Sequence, residues 1–478
     1  MNKLLLKLRP PVRRVVAAYD RARWKRLQRR VEAESRGKQV PMRNILALAW
    51  PAILEQILWM VAGVVSTILV SRLSAAAVSA VGVVGQVFNV IGALFTIVST
   101  GGTVLIARLI GQRDLFTAKE ALKQIILLSA GLSLAVMVLC LAAAYPILKL
   151  FMGSAEADVF AQGMTYFRLL SLSLPFFILN SALSGVMRGS GDTKTPLYIA
   201  ILGNAVHLSL AAILIFGLDM GVAGAGLALT LARVVGGALP LLLILSGKGN
   251  LGIRVRSWKL RLDPGLIRRI SHIGLPATYE QVVMQLGFLL MQTLVVGMGT
   301  LPCAAYQIGG NITSLLNMPI FGLNVAVTTL VGQSLGEDAP DKADAYARKC
   351  LRLSTYFILT LGVAIFLAVG PLTALYTGDL VTQAATLPVA RLLMVSMVFS
   401  GVINVMSGAL RAAGDNNFIF LSTGLGIWVA RIGLTLALHF VFQMGILSAV
   451  YAQMADFGLR SVLYLVRWRQ GKWRTLKI

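Results

Sequence analysis

The chain has 478 residues, 57% of them hydrophobic and only 13% charged, with a mean hydropathy of +0.78, which excludes a soluble globular domain and fits a polytopic membrane protein. Its formal charge of +25 would suit a nucleic-acid partner, but the basic residues fall in the tails and in alternate loops, where the positive-inside rule places cytoplasmic charge. Three scattered cysteines, Cys140, Cys303 and Cys350, supply neither a disulfide framework nor a metal site and are read as free thiols.

Residues 1–41 read as a basic cytoplasmic tail, crowded by Arg9, Arg13, Arg14, Arg21, Arg23, Lys25, Arg26, Arg29 and Arg30. Trp24, Leu27 and Val31 fall at helical spacing among them, so the tail is either an amphipathic helix on anionic lipid or disordered. Its basic part is too long for a secretory signal, and no short apolar core with a small-residue cleavage site follows. About twelve apolar stretches come next, near 45–71, 76–107, 118–148, 159–187, 195–217, 221–246, 268–297, 301–334, 345–369, 382–410, 418–442 and 445–468. Arg108, Arg113 and Lys119 fall in the second loop, Lys248, Arg254, Arg256, Lys259 and Arg261 in the sixth, and Arg348, Lys349 and Arg352 near the eighth. The odd loops hold little beyond Arg72 and Lys149. With Arg467, Arg469, Lys472, Arg474 and Lys477 closing the chain, both termini are expected in the cytoplasm of a multi-pass plasma-membrane (bacterial inner-membrane) protein.

The second six stretches repeat the first. Pro51-Ala52 with Glu55-Gln56 returns 225 residues on as Pro276-Ala277 with Glu280-Gln281, and the segment from Ala107 to Gly111 returns at the same offset from Gly332 to Gly336. Ser184 to Arg188, before Gly191-Asp192, returns as Ser407 to Arg411, before Gly414-Asp415, at an offset of 223. Two residues are therefore lost in between, expected in the loops just after Gly153 and Gly378. The expected fold is an all-α polytopic membrane protein of about twelve transmembrane helices, in two six-helix repeats related by a pseudo-twofold axis along the membrane normal. Its parts are an N-lobe over 42–246, a cytoplasmic linker over 247–265 that tethers two moving lobes, a C-lobe over 266–469 and a basic cytoplasmic tail over 470–478.

An ionisable group inside a bilayer is costly enough to point to function, and here these are Glu55, Arg168, Arg233, Glu280, Arg391, Arg431, Asp456 and Arg460. Glu55 and Glu280 hold the same position in the two repeats, four residues after a proline that frees a backbone carbonyl, and symmetry aims both at one shared cavity. A carboxylate in such a low-dielectric site can take up a proton, whereas an arriving organic cation favours its charged form, so ion and cargo compete for one charge. About three helical turns on, Ser66 shares the face of Glu55, and Met291 that of Glu280. Gln281, Gln285 and Gln292 share another face of the seventh span, with Met284, Phe288 and Trp59 nearby. Carboxylates, amides, aromatic rings and thioethers together suit an amphipathic organic ligand, although each methionine or aromatic taken singly reads more readily as helix packing.

Asp456 and Arg460 lie i, i+4 on the last span and read as a structural ion pair, with Asp456 also a candidate coupling residue and Arg233 its repeat counterpart. Arg168 and Arg391, equivalent across the repeat, read as headgroup anchors or a lobe-to-lobe contact. The segments after Arg188 and Arg411 read as turns, with Asp192 or Asp415 capping the next helix. No GxxxxGK[ST] loop is present, so transport would draw on an ion gradient or an external partner. A membrane enzyme would need a polar constellation such as a paired-His metal motif, which the isolated His207, His272 and His439 do not supply.

Two six-span halves, Pro-Ala with Glu-Gln opening each, Thr329-Leu330-Val331-Gly332-Gln333 with Gly336, and the Arg-to-Gly-Asp turns together resemble the multidrug and toxic compound extrusion (MATE) family over about residues 42–470. The resemblance implies a V-shaped pair of lobes and alternating access. It also implies export of cationic or amphipathic organic compounds against H+ or Na+, without a cofactor or nucleic acid and with no enzymatic step. A monomer is compatible with it. Many bacterial relatives have an aspartate where this chain has Ser66, and the carboxylate associated with cation coupling further along the seventh span in the NorM branch is replaced by Met284 and Met291. Glu55 and Glu280 are the surviving candidates. The alternative function is a flippase or exporter of lipid-linked saccharides or another metabolite, which would prefer a strongly basic cavity.

Overall fold

The computed structural model describes residues 40–153, 155–247, 251 and 262–476. The amphipathic reading of Trp24, Leu27 and Val31, most of the proposed linker, and Lys477 lie outside the described residues. Contacts divide the chain into Met1–Asn44, whose described residues only open the first helix, and Ile45–Ile478, which holds all the charged sites.

The first half runs α1 Met42–Ser71, α2 Ala75–Leu94, α3 Thr96–Gly111, α4 Leu115–Ala142, α5 Ala144–Met152, α6 Ala157–Leu172, α7 Leu174–Gly189, α8 Lys194–Ala212 with a π turn Ile213–Gly217, and α9 Gly221–Leu245. The second runs α10 Pro264–Gly297, α11 Thr300–Ser314, α12 Asn317–Gly336, α13 Pro340–Tyr376, α14 Leu380–Ala413, α15 Asn416–Gly424, a π segment Leu425–Gly433, α16 Leu434–Phe440, and α17 Leu447–Arg469 with a 3-10 turn Lys472–Arg474. Among the described residues, ten helices are long and apolar enough to cross a membrane, or eleven when α6 and α7, bent by 51°, count as one span. The twelfth stretch is the 23-residue α17, about 35 Å long at 1.5 Å per residue, set apart from the others by its charges. Breaks within the apolar stretches have a local cause at three places, where Pro146, Pro175 and Pro319 fall in the first turns of α5, α7 and α12 and cannot donate to the preceding turn.

The duplication is written into the backbone. Residues with positive φ recur in pairs: Arg113 and Asp338 at 62° and 53°, Gly191 and Gly414 at 87° and 91°, Asp219 and Gln443 at 51°, and Gly221 and Gly445 at 55°. Their offsets of 225, 223 and then 224 trace the deletion between α5 and α6, where it was expected, and one further residue gained by the second half before α17. That last step corrects one reading. The counterpart of Arg233 is Phe457, not Asp456, whose own counterpart is Ala232.

The halves meet at the end that carries the basic loops, where α3 packs on α10 and α12. Gly111 lies against the Gln333 carbonyl, and Gly336 against the Arg108 carbonyl, a reciprocal contact about a local twofold axis that leaves no room for a Cβ on either side. Gly274 against the Ile97 carbonyl and Gly322 against that of Ala49 form the next reciprocal pair.

Candidate functional site

Each glutamate singled out by the repeat is held by an arginine of its own half. Glu55 on α1 accepts both oxygens' bonds from Arg188 Nη1 at 3.2 Å, and Glu280 on α10 accepts from Arg411 Nη2 at 2.9 and 3.2 Å. Arg188 and Arg411 close α7 and α14, where the chain then turns at Gly191 and Gly414. The sequence carried the signal, because both arginines recur at the offset of their turns, but they were read as turn flanks and left out of the intramembrane charges.

These arginines stand at the seam between the halves. The Thr329 hydroxyl donates to the Arg188 carbonyl at 3.0 Å, and Gln333 Nε2 to the Gly189 carbonyl at 3.1 Å. In the opposite sense, Arg108 Nη2 donates to the Ala413 carbonyl at 3.0 Å. Gln333 and Arg108 are repeat counterparts, so the same helix ends are gripped from both sides. On the basic end, Trp473 is buried and stacks on Trp468 with centroids 4.0 Å apart, so the described part of the C-terminal segment is packed.

Around Glu280 the polar structure goes further. Thr423 Oγ1 lies 3.5 Å from Glu280 Oε1 and 3.1 Å from the Tyr464 hydroxyl, both in the interior. Beyond Tyr464, α17 carries Asp456, fully buried, whose two oxygens accept from Arg460 Nε and Nη2 at 2.6 and 2.7 Å. This is the ion pair that the i, i+4 spacing pointed to. Arg431, from the π segment, joins it at 3.0 Å from Asp456 Oδ2. Gly426 on the same segment makes the space, since a Cβ there would strike Asp456 and Arg460.

The other candidates are distributed around these pairs. Trp59 and Phe288 are exposed, Ser66, Gln281, Gln285 and Gln292 are half-buried, and Met284 packs with buried Met291 against Ile427 and Ile432. Arg233 donates to Ser173 Oγ at 2.9 Å beneath the rings of Phe88 and Phe177, and Arg391 lies over Phe366. Asp192 accepts from the Thr195 amide at 3.0 Å as a capping residue, whereas Asp415 accepts from Arg467 at 2.6 and 3.2 Å and makes no side-chain cap. Among the described residues, no group of three or more His, Cys, Asp or Glu could hold a metal ion.

A family model described as MatE matches twice, at residues 51–213 and 276–436. A probable multidrug resistance protein NorM of Thermotoga maritima is 30% identical over 446 residues, covering 90% of this chain and 93% of the relative. An uncharacterized transporter, YisQ, of Bacillus subtilis is 27% identical over 452 residues, covering 90% and 94%. Among solved structures, an outward-facing conformation of a multidrug resistance MATE family transporter matches with a TM-score of 0.84 at 21% identity, covering 90% of this chain and 95% of that one.

Proposed function

The chain belongs to the MatE family, and on that premise we propose that it is a secondary active efflux antiporter, exporting small cationic or amphipathic organic compounds in exchange for H+ or Na+ by alternating access. The observation that carries this reading is the placement of the two Glu–Arg pairs. Each pair ends on the helix whose last carbonyls accept hydrogen bonds from the opposite half. A proton reaching Glu280 converts an ion pair into a neutral acid beside a guanidinium and weakens the hold on Arg411. Sodium at the carboxylate displaces the guanidinium to the same effect. The end of α14 is then released, and with it one side of the seam. An organic cation must likewise compete with arginine for the carboxylate, so ion and cargo exclude each other by reciprocal linkage.

In this reading the basic end is cytoplasmic, the N-lobe over 42–246 and the C-lobe over 266–469 rock against each other in the plasma membrane, and the linker over 247–265 tethers them. No cofactor is needed, and one copy of the chain suffices. The test is transport in proteoliposomes under separately imposed proton and sodium gradients, with an amphipathic dye as cargo. Exchange is expected under one gradient and lost in Glu280→Gln. Dye movement that ignores both gradients would refute the antiport assignment.

A further inference from the structure

Two carboxylates meet three guanidiniums in this cluster of the second half. Glu280 pairs with the partly exposed Arg411, and Asp456 is shared by the buried Arg431 and Arg460, which leaves one positive charge without a carboxylate of its own. Arg460 takes both Asp456 oxygens in a fork, so Arg431 meets only the lone pairs that this fork leaves. Arg431 Nε comes within 3.0 Å of Oδ2 without hydrogen-bond alignment, and Nη2 is buried without a partner among the described residues. The side chain itself is 4% exposed. A guanidinium that shares its carboxylate in a low-dielectric interior carries a desolvation penalty, and a buried donor with no acceptor is one that a bound anion or a water would satisfy.

The surroundings limit what that ligand is. The guanidinium is sandwiched by Phe457 at 4.9 Å and Phe288 at 5.4 Å, and Phe288 is otherwise exposed, on the face of α10 read as a cavity lining. Tyr306, packed on the same Ile427–Ile432 cluster, spends its hydroxyl on Gln453 at 3.0 Å. The π segment, a wide turn of a kind that recurs at functional sites, carries Arg431 itself. The position therefore offers one positive donor group, two aromatic faces and no free carboxylate.

We propose that Arg431 is an anion site in the interior of the second half, filled by chloride or by the carboxylate or sulfonate end of an amphipathic organic anion whose flat body stacks on Phe288. The site stands on its own geometry, and only the organic source rests on the efflux reading. The full-length protein is purified in detergent, and its unfolding midpoint is followed at constant ionic strength in sodium gluconate with added sodium chloride or naphthalene sulfonate. A saturable rise of roughly 3 °C or more is expected from at least one of them. A rise with chloride alone assigns an inorganic ion, and a rise with the sulfonate that chloride competes away assigns the organic one. Arg431→Gln should abolish the saturable rise, and Arg431→Lys should keep a weaker one. If Arg431→Gln does not fold, Phe288→Ala serves in its place and should raise the half-saturating sulfonate concentration at least about threefold. Flat titrations with both anions, or an unchanged response in Arg431→Gln or Phe288→Ala, overturn the proposal. Gradient-driven dye export in the same preparation reads the antiport proposal separately.

Discussion

Glu55 and Glu280 occupy equivalent positions and hold equivalent arginines, yet the two halves treat them differently. In the first half the polar chain stops at Arg188, because Ala200 stands where the second half has Thr423. Further along, α9 has Ala232, Gly236 and Pro240 where α17 has Asp456, Arg460 and Tyr464. Beyond the pair stands the half-buried Arg233, received by a serine hydroxyl and aromatic faces. In the second half, hydroxyls lead from Glu280 towards three further buried charges. Duplication has kept the pair and the seam in both copies and elaborated only one interior. What is shared belongs to closing the seam, and what is not shared marks where the halves have specialised.

The largest expected effect tests that division directly. Asp456→Ala leaves Arg431 and Arg460 buried with no carboxylate, and stranding a buried charge in this way costs about 3–5 kcal/mol. The variant should be recovered poorly or melt far below the parent in detergent. Arg233→Met removes a charge that has no carboxylate partner among the described residues and should change stability by about 1 kcal/mol or less, in either direction. Comparable losses in the two variants would break the contrast.

The seam predicts the opposite pattern, equality. A Cβ at Gly111 or at Gly336 meets a backbone carbonyl of the other half, so Gly111→Ala and Gly336→Ala should each cost about 1–3 kcal/mol. Both should also shift the protein away from the state closed at the basic end, read as slower crosslinking of cysteines placed across α3 and α12. A marked inequality between the two would show that the local twofold relation does not govern closure.

Transport should again separate the halves. Glu280→Gln is expected to lower ion-coupled exchange at least about tenfold and flatten its pH profile, because the second-half network loses its anion next to the seam. Glu55→Gln should lower it by roughly threefold and leave the pH profile in place. Equal severity would mean that both carboxylates couple, and the extra polar groups of the second half would then be structural only.

Much of this was legible in the sequence, and the reasons are physical. Hydropathy gives the spans because a bilayer imposes their length and apolarity, and the repeat survives in prolines and glycines because backbone geometry cannot drift at those positions. The Asp456–Arg460 pair was readable because it lies within one helix, at a spacing that brings side chains together. Arg188 and Arg411 were harder, since each meets its glutamate across more than 130 residues and sits beside a turn that already explained its surroundings. Arg431 shows the same limit: it reaches Asp456 from a π segment, whose altered pitch no 3.6-residue wheel anticipates. The misassigned counterpart of Arg233 came from one residue gained before α17, invisible until the matched turns at Gly221 and Gly445 fixed the register.

The smallest effect lies at helix starts outside the membrane, and the starts of α4 and α13 show it. Asp114 accepts from the Thr117 amide at 3.0 Å and hydroxyl at 2.5 Å at the start of α4, while its counterpart Ala339, ahead of Pro340, offers no side chain to α13. The Thr117 hydroxyl, and then its amide, hold the Asp114 carboxyl below the usual aspartate range. A group depressed by folding stabilises the folded state fully above its unfolded pKa, about 4, and loses that contribution as pH falls towards the folded value. Asp114→Ala should therefore cost about 1 kcal/mol at neutral pH and progressively less below about pH 4. Ala339→Asp should gain a similar amount with the same pH dependence, since aspartate before a proline at the first helical position is a favourable start. Amide hydrogen exchange over the first turns of α4 and α13, followed from pH 7 to pH 3, reads both at once. If Asp114→Ala leaves exchange at Thr117 unchanged at neutral pH, the cap contributes nothing and the two loops are equivalent after all.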